Sequence, residues 1–499
     1  MTDRALAAAH PASDRSASAV RAQVVAVAAV CWGALAFGGA YPWAFWPMAA
    51  MALAAGALGC ASPAVSEATV SRPLIAGLAA VGVALALQLV PLPLAWVRAL
   101  SPNMLPVLEK TDFSYGAGLT RLHALSIDPA ATLVALGLFA SLAVLTVGLS
   151  RAIASRHPRA LVEAITLLGV ALALIGIVQK PLYAGRLLGF WQPEGTGTPF
   201  GPFVNRNHFA GWMLMALPLA LGLLGAGLER AMRDVKPGWR HRILWLSSPE
   251  ANRLILLGAG TFIMAVSMVL TMSRSGISAL AMSVVLMGLV IGRGFTGKSK
   301  KTLGVAYLAV LVVTAIAWVG ADVVVERFSN TSWSEFNDRK GAWLDALGVA
   351  RAFPVAGTGL NTYPMAARFY QRHDLSSFYG EAHNDYLQLL AEGGAMVVLP
   401  ALVVLAALVR EIRRRLRRDV PGTSWWVRRA AVTALIAIAL QESVEFSLQM
   451  PGNALLFAVV CALAIHPPRE ARPEERRHAS PAERPRLRVV ASNAFAGSR

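Results

Sequence analysis

The chain has 499 residues, 56% of them hydrophobic and 15% charged, with a mean hydropathy of +0.53 and a formal net charge of +18 at pH 7. That is too apolar for a chain of soluble domains, so the bulk must lie in a bilayer. The basic residues are not gathered with aromatics into one face, which argues against nucleic acid, and the apolar runs are continuous instead of alternating, which argues against a transmembrane barrel.

A helix crosses about 30 Å of hydrocarbon with roughly 20 apolar residues. By that rule the first segment, 1–23, contains no compact cleavable signal and leads to spans at 24–40, 43–60 and 74–90. A loop at 91–129 follows, then spans at 132–149 and 161–178 on either side of a basic turn at Arg151. Segment 180–207, rich in Gly, Pro and aromatics, enters a sixth span at 208–228. Spans at 254–272 and 277–291 form a tight pair joined by Ser273, Arg274, Ser275 and Gly276, and a ninth lies at 303–319.

The longest loop, 322–382, is the only one large enough to be a small subdomain or lid. Within it 335–353 has helical character, with Trp343, Leu347 and Ala350 on one stripe and Pro354 just beyond, and Gly357 to Asn361 reads as a turn. Spans starting at His383 and covering 430–449 and 453–465 complete the set, and the tail is too polar to pack. The expected fold class is an all-α polytopic membrane protein with about 12 transmembrane helices. Its parts are a cytoplasmic segment 1–23, helices 1–9 over 24–321, a long periplasmic loop with short helices over 322–382, helices 10–12 over 383–466, and a disordered basic tail over 467–499.

Charge gives an independent topology. Segments 1–23, 151–159, 230–253, 293–301, 410–429 and 467–499, with Arg72, hold roughly 33 of the 46 basic residues, and by the positive-inside rule they are cytoplasmic. Both termini then lie inside, in agreement with the helix order. Cys31, Cys60 and Cys461 all fall in predicted spans and read as core residues, not as disulfides or metal ligands.

An arginine on the external side runs against that bias, so Arg274 in its short turn stands out. It reads either as a snorkelling side chain or as a fixed anion site, since a guanidinium presents a planar fork that matches phosphate oxygens. His383 opens a span in the run Glu381, Ala382, His383, Asn384, Asp385, Tyr386, where polar residues cap a helix or a histidine takes a proton from an attacking hydroxyl. Asn205, Arg206, Asn207 and His208 bunch at another mouth, where they read either as interfacial hydrogen-bonding groups or as part of a site. Arg339 lies four residues before Trp343 on one helix face, and Glu442 and Glu445, three apart, are placed to hold an arginine such as Arg274. There is no Walker-type loop, HExxH motif or Asp-x-Asp pair, so no cofactor or metal is expected and arginines would stabilise a pyrophosphate leaving group.

Over roughly 198–394 the chain resembles the O-antigen ligase and polymerase superfamily. The matching pieces are Gly201 to Ala210, the Ser273 to Gly276 turn, Arg339 with Trp343, Pro354 with Gly357 and Gly359, and His383 to Tyr386 leading to Glu392 and Gly393. The resemblance implies a GT-C-like fold and a metal-independent, inverting transfer of a glycan from undecaprenyl-pyrophosphate. Arg274 and Arg339 clamp the pyrophosphate and His383 assists the acceptor. Asn205, Arg206, Asn207, His208, Trp343, Asn384 and Tyr386 would contact substrate, and Glu392, Glu442 and Glu445 would support. It also implies a bacterial inner-membrane protein whose site faces the periplasm, with lipid A core as acceptor. Alternatives are a growing glycan end, making a polymerase, or a protein hydroxyl. A transporter or lipid-linked glycan flippase is the reading from another class; against it stand the absence of an internal repeat and the polar cluster at one surface.

Overall fold

The structure is a computed structural model that describes residues 10–62, 70–155, 158–194, 197–233, 239–295, 298–319, 333–375 and 377–467. Helices stand where the apolar runs predict them: α1 (His10–Leu35), α2 (Pro42–Cys60), α3 (Arg72–Leu89), then after the short α4 (Leu94–Leu100), α5 (Met104–Thr111) and α6 (Phe113–Gly116), the long α7 (Pro129–Ser155), α8 (Arg159–Leu182) and α9 (Arg206–Ala231). They continue with α10 (Trp239–Leu246), α11 (Pro249–Leu270), α12 (Arg274–Gly294), α13 (Lys298–Val319), α14 (Trp333–Ala352), α15 (Tyr363–Tyr370), α16 (Asp385–Arg418), α17 (Thr423–Gln441) and α18 (Pro451–Ile465). Their starts carry ordinary signals, either proline in the first turn (α2, α3, α11, α18) or a Ser or Asn cap (Asn205, Ser248, Ser273, Asn384).

Nine helices among the described residues are long and apolar enough to cross a membrane: those within or equal to α1, α2, α3, α7, α8, α9, α11, α12 and α16. The chain is an all-α multi-pass membrane protein. In α13 and α18 the apolar stretch is shorter, and α17 begins with Arg428 and Arg429 in its first two turns. Almost every residue of α9 is buried, because α8, α11, α12, α17 and α18 surround it. Elsewhere, small residues let backbones touch: a Cβ on Gly148 of α7 would lie 1.9 Å from the Gly56 oxygen of α2, so that crossing admits only glycine.

A second core forms at the end of the bundle where α9, α12 and α16 begin. Val97, Met104, Val107 and Leu108 of the 91–129 segment pack against Ala346, Val349, Phe353, Tyr363 and Ala366. The lid expected at 322–382 is thus only half of a subdomain. Its other half is the earlier loop, which also carries a two-stranded antiparallel sheet pairing Leu92 with His123 and Pro93 with Leu122. The part of the lid at 320–332 and nearly all of the 467–499 tail lie outside the described residues.

The subdomain is fastened to the bundle through a break in α16. Gly394 leaves the helix at φ 54°, and the freed groups pair with the turn read at Gly357. Ala395 N donates to Pro354 O, Thr358 N to Ala391 O and Gly359 N to Glu392 O. A Cβ on Gly357, itself at φ 65°, would lie 2.1 Å from the Glu392 oxygen, so backbone meets backbone here. Gln88, fully buried at the end of α3, donates to Ala356 O and Glu392 O at 2.7 and 2.9 Å and accepts from Leu360 N at 3.2 Å.

Three expectations need correction. The span read as 430–449 ends at Gln441, and 442–450 is a non-helical link with a 3-10 turn at Ser447–Gln449, so Glu442 and Glu445 do not share a helix face. Helix α1 starts at His10, well inside the segment read as lying before the first span. Of the cysteines only Cys461 is buried, while Cys60 is exposed.

Replacing Gln88 by Leu strands two carbonyls and one N–H in a buried joint. The expected loss is about 2–3 kcal/mol, read as a lower thermal midpoint in detergent and faster proteolysis within 333–382; an unchanged midpoint would show that the joint is not what fixes the subdomain.

Candidate active site

Three capped helix starts meet at this end of the bundle. Asn205 Oδ1 accepts from Asn207 N (2.8 Å) and starts α9. Ser273 Oγ accepts from Gly276 N (3.2 Å) and starts α12, after Met272 has turned the chain at φ 54°. Asn384 Oδ1 accepts from Tyr386 N and Leu387 N (3.1 and 3.0 Å) and starts α16, after His383 has turned at φ 49°. Non-glycine residues at such φ are strained and persist where the surroundings hold them. Each start points the positive end of a helix at the same region. The capping reading of the run at Asn384 therefore holds, whatever else that run does, and Asn205 caps α9 in the same way.

Glu445 ties the pieces together. Its Oε1 accepts from Arg339 Nη2 of α14 (2.5 Å), Asn207 Nδ2 of α9 (2.9 Å) and Ser275 Oγ of α12 (3.4 Å), while its Oε2 is buried with no hydrogen-bond partner. The carboxylate is 1% exposed, and burial pushes its pKa above the usual carboxylate range despite the opposing effects of Arg339, Asn207 and Ser275. The sequence reading gave this role toward Arg274; the structure pairs Glu445 with Arg339.

His383 adjoins this hub through residue 446. Its ring lies edge-on to Phe446 (4.8 Å), and His208 meets the Phe446 ring at the same spacing. Trp343 Nε1 donates to His383 O (3.1 Å), so Arg339 and Trp343 do face one site, one turn of α14 apart. His383 Nδ1 is buried with no hydrogen-bond partner. Burial first, and the nearby Arg339 charge second, pull its pKa down to about 4, so the ring is neutral at pH 7.

Arg274 opens α12, half-buried, one residue from Ser275 and its contact with Glu445. Arg206 opens α9 next to Asn207, with its backbone N–H on Thr198 O. Lys180, which the sequence reading passed over, donates to Leu270 O at 2.7 Å just before the Arg274 turn and lies close enough to Arg206 to feel its charge. Four cations, Lys180, Arg206, Arg274 and Arg339, thus come from four helices to one end of the bundle. The other loop arginines lie apart: Arg351 and Arg368 are exposed, Arg368 is over the Phe378 ring, and the backbone of Arg372 is held by Asp345.

The remaining candidates divide. Tyr386 is exposed and its hydroxyl donates to Ala439 O near the end of α17, while Asn384 Nδ2 donates to Ser443 O in the 442–450 link. Glu442 accepts from Leu448 N and shares a hydrogen bond with the Asp385 carboxyl; burial and that neighbouring charge raise its pKa well above the usual range. Glu392 lies in the joint, accepting from Asn361 N and Tyr363 N, and does not reach the cations. Phe446 and Gln441, which donates to Asn207 O, were missed because nothing in their local sequence marks them, and Ser275 was read only as part of the Arg274 turn. Among the described residues no group of three or more His, Cys, Asp or Glu is arranged to hold a metal ion.

Residues 259–402 match the family model for O-antigen ligase. The resemblance read from the sequence to the O-antigen ligase and polymerase superfamily therefore holds over this stretch, which contains Arg274, Arg339, Trp343, His383 and Glu392. It stops short of Glu445 and begins after Arg206, so the hub joins matched and unmatched parts of the chain. No curated protein matches the chain. The match supports an enzyme of the ligase or polymerase type without separating the two.

Glu381, two residues before His383, accepts from Gln388 Nε2 and is pushed by burial, and by Glu392 and Asp385, up to about 8. A carboxyl with its folded pKa above the unfolded value adds stability that is complete below about 4.5 and is lost as pH rises through about 8. Glu381→Gln, which has no proton to lose, should therefore gain on the wild type in thermal midpoint between pH 5 and 8; a constant difference across that window would contradict the buried, protonated carboxyl.

Proposed function

We propose that this protein transfers a glycan from an undecaprenyl-pyrophosphate carrier to an acceptor hydroxyl on the periplasmic face of a bacterial inner membrane, with lipid A core as the preferred acceptor. The observation that carries this reading is the meeting of Arg274, Arg339 and His383, all within the family match, at one end of the bundle with Lys180, Arg206 and three helix starts. A pyrophosphate carries charge that such a set suits: guanidinium forks match its oxygens, and helix N-termini attract it further. The basic loops at the other end support a cytoplasmic placement for that side.

In the step itself, the acceptor oxygen attacks the anomeric carbon and forms the new glycosidic bond with inversion. The bond from that carbon to the pyrophosphate oxygen breaks, and the electron pair leaves with the carrier, whose growing charge falls to Arg274 and Arg339. The acceptor proton passes to Nδ1 of neutral His383. A pyrophosphate beside Arg339 would offset the charge that helps depress the His383 pKa, so donor binding makes the histidine a stronger base. The subdomain built from 91–129 and 333–382 would keep water from the donor. A polymerase reading differs only in the acceptor, the end of a second carrier-linked glycan.

Purified protein in nanodiscs, given carrier-linked glycan and either acceptor, should transfer in the presence of chelator. Arg274→Ala and Arg339→Ala should each lower the rate by about 10² to 10³, and Arg274→Lys should recover little because it lacks the fork. Full activity in Arg274→Lys, or in His383→Ala, would contradict these roles, and the acceptor used would decide ligase from polymerase.

A further inference from the structure

At the end of the bundle away from the candidate site, α8, α9 and α11 stand apart and leave a cavity of about 560 Å³. Its walls are apolar, formed by Leu167, Val170, Leu223, Leu256, Leu257 and Ile263. Leu167 and Leu256 are 71% and 72% exposed, so the cavity opens sideways, toward the bilayer. Its mouth is basic: Arg159 is the first residue of α8, Arg230 lies in the last turn of α9, and Arg253 is near the start of α11. One carboxylate, Glu163, faces them, paired with Arg159 at 2.7 Å, and Arg230 Nη2 donates to Thr423 Oγ1 at 2.8 Å.

The dimensions fit one leaflet. From Arg159 to Val170 along α8, at about 1.5 Å per residue, the groove runs roughly 16 Å, half the hydrocarbon thickness of about 30 Å. A small soluble anion would leave that apolar depth unused, and an uncharged lipid would bring no charge to the three arginines at the mouth. Ala226, Gly227, Ala259 and Gly260 also line it, and Gly227 and Gly260 pack so closely on Leu254 and Val170 that a Cβ would fall 2.4 and 2.9 Å from those side chains.

We propose that this groove binds an anionic phospholipid of the bilayer, with one acyl chain along α8 and α11 and its phosphate among Arg159, Arg230 and Arg253. The site is separate from the candidate active site, because α9 runs from Arg206 at one to Arg230 at the other. A lipid wedged there would set the spacing of α11 against α9, and α11 leads directly into the turn that presents Arg274.

The test is native mass spectrometry of the delipidated full-length protein titrated with phosphatidylglycerol or phosphatidylcholine. The wild type should retain phosphatidylglycerol at lower concentration than phosphatidylcholine. The triple variant Arg159→Gln, Arg230→Gln, Arg253→Gln should lose the preference, and Ala259→Trp should lose retention of both lipids. Should the triple variant not fold, Arg253→Glu, at an exposed position, should weaken phosphatidylglycerol retention by about fivefold or more. Equal retention of the two lipids by the wild type, an unaltered preference in the arginine variants, or tighter retention of a polyprenyl phosphate than of phosphatidylglycerol would overturn the proposal.

Discussion

A carboxylate buried in a membrane protein must be given donors, and the way Glu445 gets them sets the geometry of this end of the molecule. One oxygen gathers Arg339, Asn207 and Ser275 from α14, α9 and α12. Moving any of these helices by an ångström or two would leave charge unpaired in low dielectric, at a cost of several kcal/mol. Three of the four helices that carry the cations are therefore held in register by a residue in the link between α17 and α18. That link is in turn held by Asn384 Nδ2 on Ser443 O and Asp385 N on Glu442 O, so the start of α16, and His383 with it, belongs to the same frame.

The subdomain obeys a second constraint, of backbone against backbone. Gly394 breaks α16 and Gly357 turns the lid, and where they meet there is no room for a side chain. The hydrogen bonds released by the break are recovered by the turn, and Gln88 seals the joint from α3. In this way a segment of over forty residues outside the bundle is fixed at the point from which α14 carries Arg339 and Trp343 to the site. The hub and the joint are the two ends of one rigid path, α14 to α16, and the candidate chemistry lies between them.

Much of this was legible in the sequence, but unevenly. Continuous apolar runs located the spanning helices but not all of their ends, as at the start of α1 and the end of α17, since burying backbone in hydrocarbon leaves little choice but helix. The cap at Asn384 was readable because a cap acts over three residues. The i, i+4 spacing of Arg339 and Trp343 put them on one face, and both do reach the site. What was not legible is long-range. Glu445 and Arg339 are 106 positions apart, and spacing could not tell which arginine the carboxylate takes, so it was assigned to Arg274. The 91–129 segment has too weak a periodicity in its short helices to announce a core, and only packing against 346–367 creates one. The break at Gly394 follows Glu392 and Gly393 just before a long apolar run, where glycine in a helix reads as an ordinary cost, and its reason lies in the partner strand of backbone.

The central claim is that Glu445 acts through Arg339. A double-mutant cycle on transfer rate, with Glu445→Gln, Arg339→Gln and the pair, measures it directly. If the carboxylate works by holding the guanidinium, the double variant should be no slower than the slower single variant, so the two effects overlap. Losses that multiply in the double variant would contradict the account and make Glu445 and Arg339 independent of each other.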